Sequence, residues 1–114
     1  MTEKHGTAST FVFHRFPDGW RLAFIEHPRL NRDMIPGGHI ENYESQDEAA
    51  LREVTEETGL RVRLIHPPAP QLPAGYHPRQ VAQPWFIDEV PVPPDSHADA
   101  HHLHTDHLYL WGRF

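Results

Sequence analysis

The chain has 114 residues, a formal net charge of −6 and no cysteine. This length predicts one domain over residues 1–114, and the lack of cysteine excludes disulfides and thiolate–metal chemistry. The negative charge disfavours nucleic-acid binding, which needs a basic face. Since no run has membrane-spanning length and the amino terminus has no apolar signal core, we expect a cytoplasmic protein with no membrane contact.

The first third of the chain is rich in strand signals. Residues 7–16 contain the apolar, β-prone run TFVF, and the turn at 17–19 predicts a returning strand over 20–26. Residues 27–33 are polar and predict a loop. Residues 34–35 then form a short extended segment that leads into the glycine turn at 36–38.

Residues 46–58 are predicted to form one helix. Ser45 and Glu48 have the spacing of a capping box, and Gly59 is the expected residue after the last turn. At about 100° per residue, three glutamates fall within one arc of about 100°, beside an apolar stripe. The glutamates are Glu53, Glu56 and Glu57, and the stripe is Ala50, Leu51 and Val54. Glu57 lies closest to the stripe, so we expect it to be the most desolvated of the three.

The crowded carboxylates on this helix need a cation among them. Arg52 has the spacing to pair with Glu48 and Glu56, but one guanidinium cannot neutralise the whole set. Oxygen ligands in this number suit a hard divalent ion such as Mg²⁺ or Mn²⁺. A solvated acidic face is the simpler alternative. The glycine turn at 36–38 favours the metal site, because it allows close backbone approach and frees a carbonyl to face an ion.

The second half alternates strands with long loops. Strands are predicted at 61–66, 84–90 and 106–114, with a proline-rich loop at 67–84 and another loop at 91–105. Strands on both sides of one helix, without regular βαβ alternation, predict the α+β class with a mixed sheet.

The segment from Gly38 to Leu60 resembles the complete Nudix box, Gx5Ex7REUxEExGU, in which U is aliphatic. The resemblance implies the Nudix fold, a mixed β-sheet sandwiched between helices, with the box as a loop–helix–loop. It implies a metal-dependent pyrophosphohydrolase that cleaves the diphosphate of a nucleoside diphosphate linked to another moiety, with Mg²⁺ or Mn²⁺ as cofactor.

The resemblance also implies residue roles. Glu53, Glu56 and Glu57 are the expected metal ligands, together with the backbone carbonyl of Gly37. Arg52 and Glu44 are expected to hold the helix and loop in register, supported by Gly38 and Gly59. The general base stays open between Glu53 and three distant acids, which are Asp88, Glu89 and Asp106.

Two alternatives use the same fold without this hydrolysis. The first is a non-catalytic module that binds a nucleotide and regulates, which the complete box disfavours. The second is an isomerase, whose chemistry resembles that of a site with a catalytic cysteine, and the lack of cysteine in this chain disfavours it.

Candidate substrate contacts lie outside the helix. Arg29 and Arg32 precede the glycine turn closely enough to reach a terminal phosphate. Tyr76 is a candidate for stacking on a base, and His39 for a neighbour of substrate or metal. A surface position is the alternative for each. Five of the eleven histidines lie between His97 and His107, where a zinc site competes with a polar loop of biased composition.

The final strand predicts an association surface. Leu108 and Leu110 alternate with Tyr109 and Trp111, so both faces carry apolar side chains. Nudix domains usually continue from such a strand into a helix that covers the sheet, and we expect this chain to lack it. A homodimer in which the second subunit supplies the cover is therefore expected, because burying apolar surface is favourable by about 25 cal/mol per Å².

Overall fold

The structure is a computed structural model that describes residues 2–27 and 32–113. The described residues form eight strands and one helix. In chain order these are β1 (Lys4–Phe16), β2 (Gly19–Leu22), β3 (Ile25–His27), β4 (Arg32–Met34), β5 (Gly37–His39), α1 (Gln46–Thr58), β6 (Arg63–Ile65), β7 (Phe86–Val92) and β8 (His102–Arg113).

Six of the strands form one mixed sheet around β1 and β8. These two long strands run parallel, from Lys4 beside Leu103 to His14 beside Arg113. The other edge of β1 pairs with β2 and β5, and the other edge of β8 pairs with β6 and β7, all antiparallel. β3 and β4 form a separate hairpin. The predicted α+β class with a mixed sheet is confirmed, and α1 has the predicted bounds 46–58.

Several predicted boundaries in the strands were wrong. The strand expected over 20–26 is divided into β2 and β3. Ala23 lies between them and outside both strands, although its N–H still donates to the carbonyl of Val12 at 2.8 Å. Residues 32 and 33, expected in a loop, pair with β3 together with residue 34, which was expected to be extended. Gly37 and Gly38, expected in a turn, belong to β5, which pairs with β1. β8 begins at His102 rather than 106, because the long β1 and β7 both offer it partners.

The core lies between α1 and one face of the sheet. Its buried members are Ala8, Val12, Ala49, Ala50, Val54, Tyr109 and Trp111. The two alanines on α1, Ala49 and Ala50, are small and let the helix approach the sheet closely. The predicted stripe was wrong at Leu51, which is 41% exposed, while Ala49 occupies the core in its place. Trp20 is 52% exposed because β2 is an edge strand.

The two faces of β8 carry different side chains, as the alternation in the final strand predicts. Tyr109 and Trp111 are buried under α1, whereas Leu108 and Leu110 are half-buried on the other face. The expected homodimer stays a prediction. No helix within residues 2–27 and 32–113 is long and apolar enough to cross a membrane.

The loop between β6 and β7 is attached to the domain by side chains. The Tyr109 hydroxyl donates to the carbonyl of Ala82 at 2.6 Å, and the Trp85 ring N–H donates to the carbonyl of Ile65 at 2.8 Å. Asp47 on α1 accepts from the backbone N–H of Ala82 at 3.0 Å. The long loop is therefore anchored beside the first turn of the helix.

Removal of one of these bonds should destabilise the fold measurably. We expect Tyr109→Phe to lower the free energy of unfolding by about 1–2 kcal/mol, because a half-buried carbonyl loses its donor. The matched control is Tyr43→Phe, at a side chain that is fully exposed. Urea unfolding of both variants and the wild type provides the comparison, and equal values for the two variants would contradict the anchoring.

Candidate active site

Local hydrogen bonds hold both ends of α1. The backbone N–H of Ser45 donates to the Glu48 carboxylate at 3.0 Å, as a capping box requires. Gly59 adopts the left-handed conformation, with φ of 68°, and its N–H donates to the carbonyl of Thr55 at 3.0 Å. Glu53, Glu56 and Glu57 therefore lie in the second half of a helix with defined ends, where α1 contacts β5.

Arg52 joins the helix to the loop that precedes it. Its Nε and Nη2 atoms donate to the two oxygens of Glu44 at 3.0 and 2.6 Å. Nη1 donates to Glu53 Oε1 at 2.8 Å, and Nη2 also donates to the carbonyl of His39 at 3.0 Å. One guanidinium thus positions the loop, the end of β5 and a glutamate of the helix.

The predicted pairing of Arg52 was half right. Arg52 contacts Glu56, with Nη1 3.4 Å from Oε2. It does not contact Glu48, which instead lies 3.7 Å from Arg79 at the start of the helix. Glu44 explains the difference, because its half-buried carboxylate accepts both prongs of the guanidinium. The hydrogen bonds from Arg52 hold the pKa of Glu44 below its ordinary value.

Glu53 and Glu57 meet at the glycine pair. The backbone N–H of Gly37 donates to Glu57 Oε1 at 3.2 Å. A Cβ at Gly38 would collide with the Glu53 carboxylate, so a larger residue there would displace this carboxylate from the turn. Burial raises the pKa of Glu57 to about 7, helped by a hydrogen bond to Glu53 and by the charges of the neighbouring glutamates. Glu57 therefore keeps its proton to a higher pH than an ordinary glutamate does.

The donor set at this turn fits a hard divalent cation. Carboxylate oxygens of Glu53 and Glu57 converge there, and several oxygen donors close together suit such an ion. Glu56 lies at the rim, with a side chain that is 60% exposed. In this arrangement Glu53 and Glu57 form the centre of the predicted site, and Glu56 forms its solvent edge.

A cavity of about 650 Å³ lies on the sheet face away from α1, with Gly37 and Gly38 in its wall. Asp106 also lines it and accepts hydrogen bonds from Thr7 Oγ1 and Ser9 Oγ at 2.8 and 2.9 Å. Its apolar lining residues are Met34, Ile35, Val90, Val92, Pro93 and Pro94. The volume is in the range of small-molecule sites, which is about 300–1,000 Å³.

The predicted substrate residues are divided by the structure. His39 lines the cavity, whereas Arg32 and Tyr76 are exposed and do not line it. Tyr76 belongs to the loop that is attached near the start of α1, away from the glutamates. Arg29 lies outside the described residues. Burial, followed by the charges of His97 and His104, lowers the pKa of His39 to about 4, so its ring is neutral at neutral pH.

The distant acids also separate. Asp106 lines the cavity, Asp88 is exposed, and Glu89 is exposed and pairs with Lys4 at 2.5 Å. Sequence reasoning missed Thr7 and Ser9 as partners of Asp106. Their alternation on one strand was visible, but nothing local indicated that β8 would lie beside them.

The chain is thus an α+β domain with a mixed sheet. Glutamate carboxylates of its one described helix gather at the glycine turn. The family model described as NUDIX domain matches residues 7–106. The chain therefore belongs to the NUDIX family, as the sequence indicated.

Two curated relatives share part of the chain. A Lactococcus lactis protein named "Probable DHNTP pyrophosphohydrolase" is 49% identical over 54 residues, which is 47% of this chain and 30% of that protein. A Bacillus subtilis protein named "Putative 8-oxo-dGTP diphosphatase YtkD" is 47% identical over 55 residues, 48% of this chain and 33% of that protein. The matched segments thus span about a third of these relatives.

Solved structures share the fold. A NUDIX family hydrolase from Clostridium perfringens superposes with a TM-score of 0.66 at 21% identity, over 96% of this chain and 70% of that one. The Ap4A hydrolase of Caenorhabditis elegans superposes with a TM-score of 0.59 at 11% identity, over 96% and 69%. At these identities the likeness establishes the fold alone.

The raised pKa of Glu57 predicts a pH dependence of stability. Between pH 4.5, the ordinary value, and about 7, the folded chain retains a proton that the unfolded chain has released. The free energy of unfolding should therefore fall with rising pH in this window, relative to Glu57→Gln, which cannot ionise. Urea unfolding in a chelating buffer measures the difference between the two proteins.

The comparison with the variant is needed because the lowered pKa of His39 makes the free energy of unfolding rise with pH in the same window. This contribution is present in both proteins, so it cancels in the difference between them. Glu26→Gln, at an exposed acid on β3, is the control and should keep a constant difference from the wild type. A difference between wild type and Glu57→Gln that is the same at pH 4.5 and pH 7.5 would contradict the raised pKa of Glu57.

Proposed function

We propose that this chain is a metal-dependent pyrophosphohydrolase that cleaves the diphosphate of a nucleoside diphosphate linked to another moiety. The observation that carries the proposal is the meeting of Glu53 and Glu57 at Gly37 and Gly38, which also form a wall of the cavity. A diphosphate bound there would lie beside the carboxylates that hold the cation.

The chain supplies the ligands and their positions. Glu53, Glu57 and Glu56 would hold Mg²⁺ or Mn²⁺, with the carbonyl of Gly37. The ion supplies Lewis-acid stabilisation of the charge that develops on the diphosphate. Arg52 positions Glu53 by a charge-assisted bond of 2.8 Å.

Two carboxylates are placed to accept the proton of an attacking water. Glu53 lies at the metal-binding turn, and Asp106 lies in the cavity wall. The hydroxyls of Thr7 and Ser9 both donate to Asp106 Oδ1, so this oxygen is already engaged and is less free to accept a further proton from water. The arrangement therefore favours Glu53 as the base, with Asp106 as a fixed polar contact for substrate.

The cavity supports a nucleotide-type substrate. Its apolar residues on β7 and around Met34 provide a surface for a flat base, while the glycine turn offers backbone to the phosphates. The names of the two curated relatives refer to DHNTP and to 8-oxo-dGTP. An assay panel should cover ADP-ribose, dinucleoside polyphosphates, oxidised nucleotides and sugar nucleotides with Mg²⁺.

Isosteric substitutions test the catalytic assignment. With the substrate found in the panel, Glu53→Gln, Glu56→Gln and Glu57→Gln should each lower kcat at least about 10²-fold, the range for a lost general base or comparable group. The variants should stay folded, because they relieve repulsion between neighbouring carboxylates. Glu26→Gln is the control and should turn over normally.

Near wild-type rates in all three variants would refute the metal-site assignment. Binding of a nucleotide from the panel without turnover, with any divalent ion, would instead identify a regulatory binding module.

Metal binding should also stabilise the fold by mass action. We expect Mg²⁺ or Mn²⁺ to raise Tm, and to do so more at pH 8 than at pH 5.5, because the ion displaces the proton on Glu57. Thermal unfolding of wild type and of the double variant Glu56→Gln/Glu57→Gln provides the measurement. A rise of the same size in the double variant would exclude ligation by these glutamates.

A further inference from the structure

Five imidazole rings gather on the sheet face away from α1. They belong to His5, His39, His97, His102 and His104, and the described ring pairs have centroids 3.8–6.1 Å apart. The sheet register produces this cluster. The parallel pairing of β1 with β8 places His5 beside His104, and the pairing of β1 with β5 places Thr7 opposite His39.

Three of these rings have the spacing of metal ligands. One potential ligand atom from each of His5, His39 and His104 lies within 4.8 Å of the other two. His5 Nδ1 and His39 Nε2 are 3.3 Å apart. Two nitrogens on one tetrahedral zinc, each about 2.0–2.1 Å from the ion, are about 3.4 Å apart. The pair therefore already has the separation that a shared ion needs.

Neighbouring contacts leave the ligand atoms available. His5 Nε2 lies 3.0 Å from Glu3 Oε1, so the proton of a neutral ring stays on Nε2 and the lone pair stays on Nδ1. This is the carboxylate–histidine–metal arrangement that orients many zinc ligands. His104 Nε2 is buried and has no hydrogen-bond partner among the described residues. A buried acceptor or donor without a partner costs free energy, and an ion would remove that cost.

We propose that His5, His39 and His104 form a binding site for a zinc-type divalent cation, separate from the glutamate site. Imidazole nitrogen prefers Zn²⁺ and similar transition metals, whereas the helix carboxylates prefer Mg²⁺ or Mn²⁺. Asp95 and His102 form a second close group with His104, and so place a carboxylate beside the same ring. Three protein ligands leave a fourth position for Asp95 or solvent.

The location links this site to the cavity. His39, His97 and His104 line the cavity together with Gly37 and Gly38. An ion on the histidines would thus lie in the wall of the same cavity, while the glutamates contact the glycine turn from α1. This inference does not depend on the proposed hydrolysis.

Calorimetric titration with Zn²⁺ in excess Mg²⁺ tests the site. We expect one Zn²⁺ per chain with micromolar or tighter affinity in the wild type. His5→Gln and His104→Gln should each weaken binding at least tenfold, and Glu3→Gln about 10–100-fold as for other orienting carboxylates. The matched control is His101→Gln, an exposed histidine next to His102, which should bind as the wild type does.

A second control separates the two sites. Glu56→Gln/Glu57→Gln should keep the zinc affinity of the wild type, and its loss there would assign the ion to the helix and overturn the proposal. Absent binding, or equal weakening in His101→Gln and His5→Gln, would overturn it as well, since loose surface histidines would then account for the signal.

Folding of the variants is monitored by thermal unfolding without metal. If buried His104→Gln fails to fold, His5→Gln and Glu3→Gln decide the question. As an independent readout, Co²⁺ should give the intense visible absorption of a tetrahedral site in the wild type and lose it in His5→Gln. A weak octahedral spectrum in the wild type would contradict the proposed geometry.

Discussion

The ion pair between Arg52 and Glu44 is the interaction on which the arrangement of the site depends. Both side chains are largely buried, with 24% and 13% of their surfaces exposed, so the pair is less screened than a surface ion pair. Because the guanidinium is planar and carries five donors, it can hold Glu44 with two bonds and still reach Glu53 and the His39 carbonyl. A lysine ammonium could not make this set of contacts. The loop, β5 and the second half of α1 are consequently held in one geometry.

The same region contains an unfavourable electrostatic feature. Carboxylates gathered on one helix face repel one another, and Arg52 compensates only part of this charge. Burial and the neighbouring glutamates raise the pKa of Glu57 to about 7, so protonation of Glu57 relieves part of the repulsion. Unfavourable interactions of this kind are expected at functional sites. A cation at this turn would relieve the repulsion, so the proposed metal binding and the raised pKa of Glu57 have the same physical origin.

The parallel pairing of β1 with β8 organises the opposite side of the sheet. It brings Thr7 and Ser9 to Asp106, which is about a hundred positions away in the chain. It also places His5 beside His104, while β5 adds His39 from the other edge of β1. Two chemically different sets of potential ligands therefore lie close to β5. Oxygen ligands approach it from α1, and imidazole ligands lie in the cavity wall.

The sequence by itself determined the features that depend on near neighbours. The bounds of α1 were predicted correctly because Ser45, Glu48 and Gly59 act within a turn of the helix ends. The Nudix box and the glutamate face of α1 could be predicted for the same reason, because both are patterns of residues close together in the chain. The tertiary structure alone decided the exposure of Leu51, the choice of Glu44 rather than Glu48 by Arg52, and the pairing of β5. It also placed Asp106 beside Thr7 and kept Tyr76 away from the cavity. These outcomes depend on which strands pair and in what register. Strand pairing is set by contacts between residues far apart in the chain, and local periodicity contains no information about such contacts.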